Sequence, residues 1–317
     1  MARRAQTPIE APPAFRERLV VVDDFLPAEL AEALRLEFDD HFGTPDTQTA
    51  GSHQVWNYWF VPELYAYLRT RPQSVITASS AQAFVQQLAD WSAASLGLAA
   101  VSAPSLALYT PGCFEGLHNE AGNGRFGYAY SLTRDGRRTV GGELQVQREG
   151  EALRALAQQP GSPRAFFDIV PPKFNRLVVF DARTPHALSA VAGSMDPRDG
   201  HVVLHGLIRE GAPFAEGALD AETLLGAAGE AFTRFQAGAF IDGYHGPVTI
   251  RIEVSAAGEA SCQVVLDRVT HPDPDDRRWP VLLNDLVAQF GAMRLPPAEG
   301  PSRMLIPVTF GLPLPPP

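Results

Sequence analysis

Hydrophobic and polar positions alternate in short runs through the middle of this chain, and they recur at helical spacing near its start and in its last third. Leu19-Val20-Val21-Val22 is an apolar run of strand length. Pro27 then opens a segment in which Leu30, Ala33, Leu34 and Phe38 repeat on one helix face. The stretch from Gln54 to Tyr67 is dense in aromatic residues, which suits core or wall positions. A second helix is expected from about Ala81 to Leu96, with Phe84, Leu88 and Trp91 along one side. From Ala99 to Ile208 the chain reads as short strands and turns. Leu106 to Tyr109 is strand-like, Pro111-Gly112 is a turn, Arg125 to Leu132 is aromatic and apolar, Gly141-Gly142 leads into a strand through Val146, and Arg176 to Phe180 is a buried strand. In Gly200 to Gly206, alternation places His201, Val203 and His205 on one face.

After Gly211 the pattern changes. Asp220 can cap a helix carrying Leu224, Leu225, Ala228, Phe232 and Phe235, an amphipathic spacing. Val248, Ile250, Ile252 and Val254 alternate with polar residues, Ala256 to Glu259 is a turn, and Cys262, Val264 and Leu266 alternate again, which predicts a hairpin. Trp279 to Phe290 suits a helix, Leu295-Pro296-Pro297 breaks it, and Met304 to Phe310 gives a last strand.

Chemistry enters at His118 and Glu120, in the run from Tyr109 to Glu120, and at His186, just beyond the strand ending near Phe180. On a strand, positions i and i+2 share a face, so an imidazole and a carboxylate two residues apart can converge on one ion. A second imidazole completes a face. Two histidines and a carboxylate leave the opposite positions of octahedral iron(II) open to a chelating cosubstrate and dioxygen. Zinc also accepts these ligands, so a hydrolytic or structural metal site shares the same signature.

Taken in order, Tyr109, Pro111-Gly112, His118 with Glu120, Gly141-Gly142-Glu143, Asn175-Arg176-Leu177 with Phe180, His186, and His201 before Gly206-Leu207 resemble the prolyl 4-hydroxylase-like branch of the iron(II)/2-oxoglutarate-dependent oxygenases, over about residues 19–210. The resemblance implies a mainly β fold, a double-stranded β-helix (jelly roll) with flanking helices. It implies Fe(2+) held by His118, Glu120 and His186, with 2-oxoglutarate and O2 as cosubstrates and hydroxylation of an unactivated C–H bond. The substrate it suggests is a peptidyl or free amino acid such as proline, with a small natural product as the alternative. Tyr109 and Arg125 are expected to line the pocket.

Members of this family hold the far carboxylate of 2-oxoglutarate with an Arg or Lys on the strand after the second histidine ligand, because a guanidinium fork matches a carboxylate. This chain has His201 at that place. Three arrangements remain: His201 binds the acid, a nearby arginine such as Arg125 or Arg198 substitutes, or the cosubstrate is a different organic acid.

The last seventy or so residues, with the hairpin, helix and final Pro-Val-Thr-Phe strand, resemble the C-terminal domain of TonB-type proteins. The expected organisation is a jelly-roll domain over 1–212, a helical connector over 213–244, and a small α/β C-terminal domain over 245–317 serving peptide or protein contact by strand addition. The alternative class is a binding protein, a jelly roll without turnover whose C-terminal module is the working interface.

Composition narrows the partners. The net charge of -10, with 26 Lys and Arg against 36 Asp and Glu, argues against broad attraction to nucleic acid, which needs clustered cations. No apolar run is long enough to span a membrane, and the Ala- and Pro-rich first dozen residues read as a flexible lead without a secretory core. Cys113 and Cys262 stand alone, which fits a reducing compartment. The cytoplasm is therefore the expected location.

Overall fold

The computed structural model describes residues 14–43, 55–134, 138–148, 166–273 and 275–311. The Ala- and Pro-rich lead lies outside them. Two compact units emerge: residues 17–92 with 99–210, and a second unit built on 211–311 with the short segments 14–16 and 93–98.

The first unit is mainly β, a double-stranded β-helix flanked by helices. Its strands are β1 (Leu19–Val22), β2 (Asn57–Val61), β3 (Tyr65–Thr70), β4 (Ala100–Val101), β5 (Ser105–Tyr109), β6 (Phe114–His118) and β7 (Phe126–Ser131). They continue as β8 (Thr139–Val140), β9 (Leu144–Gln147), β10 (Phe167–Val170), β11 (Arg176–Asp181), β12 (His186–Leu188), β13 (Ala192–Gly193) and β14 (His201–Arg209). One antiparallel sheet runs in the order β1-β11-β7-β14-β5-β3-β6-β12-β9-β10. Its two ends meet. Val178 and Phe180 of β11 share an apolar cluster with Val146 of β9 and Val170 of β10, so the sheet curls until strands distant in its order face each other. The hinge of that curl is β3, which pairs with β5 through Leu68 to Thr70 and with β6 through Tyr65 and Ala66.

Helix α1 (Ala28–Gly43) buries Leu34 and Phe38 as the apolar spacing predicted, together with Ala31 and Arg35, while Leu30 and Ala33 of the expected face are only half-buried. Arg35 is only 1% exposed. Its guanidinium donates to Asp39 Oδ1 at 2.7 and 2.9 Å, to the Leu132 carbonyl at 2.8 Å and to the Arg198 carbonyl at 2.6 Å, which ties the helix to the end of β7 and to the turn before β14. Helix α2 (Ala78–Leu96) starts about a turn earlier than its apolar pattern suggests. The Thr77 hydroxyl accepts from the Ser80 amide at 3.3 Å, which gives the helix its start.

Asn175 shows why one residue of the family-like Asn-Arg-Leu run has no substitute. It sits at φ +57° with its side chain buried, and its Oδ1 accepts from the Leu26 amide and the Tyr130 hydroxyl while its Nδ2 donates to the Leu26 carbonyl, all at 2.9 Å. Asn175→Ala loses all three bonds and places a less tolerant residue in the left-handed region. A loss of about 3 kcal/mol is expected in chemical denaturation, with little change in m-value.

The second unit pairs its strands in the order β15 (Phe214–Gly217), β18 (Ser302–Phe310), β16 (Gly246–Val254), β17 (Ala260–Asp267). The expected hairpin is β16–β17, and the last strand lies on the far side of β16. Helix α3 (Ala221–Gly238) is capped by the Asp220 carboxylate, which accepts from the Thr223 amide at 2.8 Å. Its Leu224, Ala228, Ala231 and Phe235 are buried with Leu283, Leu286 and Phe290 of α4 (Trp279–Gly291) in the same core as the inward residues of β16 and β18. Among the described residues, no helix is long and apolar enough to cross a membrane.

Candidate active site

A cavity of about 400 Å³ opens inside the curled sheet, lined by alternate residues of its strands. On β3 these are Tyr65, Tyr67 and Arg69, on β14 His201, Val203 and His205, and on β5 Ser105 and Tyr109. The period-2 pleat accounts for each set.

Antiparallel pairing of β12 with β6 sets His186 directly opposite His118. Their ring centroids are 4.4 Å apart, although 68 residues separate them in the chain. Each ring is fixed by the same device. Nδ1 of His118 lies 2.8 Å from the Gly116 carbonyl, and Nδ1 of His186 lies 3.0 Å from the Thr184 carbonyl. A carbonyl can only accept, so both Nδ1 atoms carry a proton, and in the neutral form of each ring it is Nε2 that presents the lone pair. Burial, outweighing the Thr184 bond and aided by His118, lowers the His186 pKa to about 4, which keeps its ring neutral. Packing fixes the planes further: Phe180 lies 4.3 Å from the His186 ring and Tyr65 meets His118 edge-on at 5.1 Å.

Glu120 arrives by another route than strand alternation. Strand β6 ends at His118, and Glu120 lies in the turn beyond it, where its amide donates to the Ala182 carbonyl at 2.8 Å. Its carboxylate still borders the cavity. Burial raises its pKa, against the influence of His118.

A second carboxylate, Glu115, escaped the sequence reading. Between β6 and β12, Leu188 pairs with Glu115 while His186 pairs with His118, so three residue steps on β6 oppose two on β12. This bulge turns Glu115 and His118 to the same cavity. Its tight point is Gly116, where an added Cβ would lie 2.0 Å from the Glu63 carbonyl oxygen. Gly116→Ala must therefore push β6 away from that carbonyl. A cost of about 2 kcal/mol, read by denaturant titration, is expected together with weaker metal binding. Glu115 accepts a 2.5 Å bond from the Tyr109 hydroxyl, and burial raises both its own pKa and that of Tyr109.

Tyr109 and His201 lie where the sequence placed them, in the cavity wall. Tyr109 stacks on Tyr67 with centroids 5.1 Å apart. His201 is 4% exposed, its Nδ1 is 2.6 Å from the Thr133 hydroxyl, and its ring leans on Tyr109. Arg125 and Arg198 are not brought to the cavity. Arg125 forks onto Glu210 with bonds of 2.6 and 2.7 Å, and Arg198 is held by Asp196 in the short 3-10 turn before β14. Both lie outside the cavity wall and have their own carboxylates, so neither is placed to hold a cosubstrate.

Among the described residues, no three His, Cys, Asp or Glu side chains converge tightly enough to enclose a metal ion. The donor chemistry fits one nevertheless. Two imidazoles face each other with Nδ1 of each tied to a carbonyl, and burial raises the pKa of two carboxyl groups at the same cavity, a donor set that would suit a divalent cation.

No family model matches the sequence, and no curated protein matches it. Solved structures do. A Pseudomonas putida prolyl-4-hydroxylase is similar at 19% identity and a TM-score of 0.42, covering 61% of this chain and 92% of that one. A Trichoplax adhaerens prolyl hydroxylase, solved with a peptide fragment of the hypoxia inducible factor oxygen degradation domain, is similar at 11% identity and a TM-score of 0.40, covering 61% of this chain and 84% of that one. The non-heme alpha ketoglutarate dependent epimerase SnoN from nogalamycin biosynthesis is similar at 14% identity and a TM-score of 0.41, covering 62% of this chain and 78% of that one.

Proposed function

We propose that the first unit is an iron(II)- and 2-oxoglutarate-dependent oxygenase with His118, His186 and Glu120 as its metal ligands. The observation that carries this reading is the facing pair of imidazoles, each with Nδ1 tied to a carbonyl and Nε2 left to donate, inside a cavity large enough for an organic acid. Iron held there, with 2-oxoglutarate and dioxygen, supplies the oxidising power to hydroxylate an unactivated C–H bond as the 2-oxo acid is converted to succinate and CO2.

The protein's part is positioning. Phe180 packs on the His186 ring and fixes its plane, and Glu120, carried on the turn after β6, would complete the ligand set. Glu115 takes the Tyr109 hydrogen bond, which holds that hydroxyl's proton toward β6. The substrate approaches across β2, where Tyr58 and Phe60 are exposed and stacked at 6.0 Å while Trp59 borders the cavity. An amino acid, free or in a peptide, is the proposed substrate, and the second unit offers a peptide contact through an edge strand, in the manner its TonB-like pattern suggests. A soluble, cytoplasmic protein is the setting proposed.

The testing experiment is turnover of 2-oxoglutarate with iron, ascorbate and air, with succinate measured by mass spectrometry. Succinate formation by the full chain, lost in His186→Ala, supports the reading. Its absence from iron-loaded protein overturns it.

A further inference from the structure

Two arginines reach the cavity, and they differ in one respect. Arg176 is neutralised by Asp23, with bonds of 2.6 and 3.0 Å to its two oxygens. Arg69 makes no ion pair at bonding distance among the described residues, although its charge is felt by Glu115 and Glu120 at the same cavity. Its Nε donates to Ser105 Oγ at 2.8 Å, its guanidinium lies over the Trp59 ring at 4.5 Å and bonds the Tyr67 hydroxyl as well, so a charged fork is held in a fixed plane at the cavity wall. Strand pairing brings His205 beside it: Arg69 pairs with Ala107 on β5, and Ser105, two residues back, pairs with His205 on β14. Nε2 of His205 is buried without a hydrogen-bond partner.

We propose that Arg69, with His205 beside it, receives the carboxylate of an organic acid bound in the cavity, in place of the basic residue missing at position 201. This deepens the oxygenase reading and rests on it for the identity of the acid, a 2-oxo dicarboxylate whose 2-oxo end faces the histidine pair. His201 is poorly suited to the task. Its Nδ1 is engaged by Thr133, its ring is pressed against Tyr109, and an imidazole offers one remaining nitrogen where a guanidinium offers a fork. Arg69 was visible in the sequence: Tyr65, Tyr67 and Arg69 alternate, so whatever cavity takes the tyrosines takes the arginine too.

The test compares two acids that share the chelating end and differ in the far carboxylate, 2-oxoglutarate and 2-oxopentanoate. Both are titrated calorimetrically into the Zn(2+)-loaded full chain, and glutarate is titrated into metal-free protein with tryptophan fluorescence as a second readout. Wild type is expected to prefer 2-oxoglutarate by about 30-fold, the range of a charge-assisted pair. Arg69→Gln should abolish that preference and leave the affinity for 2-oxopentanoate and for zinc unchanged. Arg69→Lys, which keeps the charge and loses the fork, should retain part of the preference, and it serves if Arg69→Gln does not fold. Retention of the full preference in Arg69→Gln, or its loss in His201→Asn alone, overturns the proposal. Failure of wild type to bind either dicarboxylate overturns it as well. Wild type that binds glutarate in an Arg69-dependent way but takes up no metal leaves the acid site standing and removes the oxygenase reading instead.

Discussion

His118→Ala and His186→Ala are each expected to weaken binding of one divalent ion by about 100-fold or more, since removing even an outer-shell partner of a metal ligand costs 10–100-fold. Cobalt(II) absorbance titration of the full chain is the measurement, with one ion bound per chain in wild type. The effect is large because each ring is already committed to Nε2 donation by its Nδ1 bond to the Gly116 or Thr184 carbonyl. Neither alanine variant should unfold. His186 is buried beside Phe180, and removing its ring forms a cavity, so a stability loss of about 1–3 kcal/mol accompanies the change without explaining a hundredfold loss of affinity. Ion uptake by either variant at wild-type affinity would show that the imidazole pair is packing only.

Arg35→Met should destabilise the first unit by about 3 kcal/mol, lowering its thermal midpoint by roughly 10 °C. Methionine fills most of the volume but leaves the Leu132 and Arg198 carbonyls without their donor and takes one of two arginines from Asp39, which keeps Arg134 at 3.3 Å. The largest share of the loss comes from the stranded carbonyls. Metal affinity of the folded variant should stay within about threefold of wild type, because Arg35 is distant in role from the cavity wall. A midpoint unchanged within error would mean that these buried bonds are exchanged for water without cost.

Much of this was legible in the sequence, and the misses have physical reasons. Strands, helices and turns followed from apolar spacing because each element buries one face, as Leu34 and Phe38 do on α1 and as the inward residues of β16 do. His118 and His186 could be paired only through the family-like order of motifs, since no local pattern announces that β6 and β12 are neighbours. Glu120 reached the cavity for a different reason than alternation, because β6 stops two residues short of it. Glu115 was hidden by the bulge between Glu115 and His118, which shifts the parity that alternation relies on. Arg198 could have been set aside, since Asp196 stands two residues before it in an Asp-Pro-Arg-Asp turn. Arg125 could not, because Glu210 is 85 residues away.

The most direct test is an anaerobic titration of the full chain with iron(II) and then 2-oxoglutarate, followed in the visible range. A weak charge-transfer absorption that saturates at one iron per chain and is absent in His118→Ala is the expected result. Iron uptake that leaves the visible spectrum unchanged on adding 2-oxoglutarate, or an absorption that persists in His118→Ala, would contradict a cosubstrate chelated at the histidine pair.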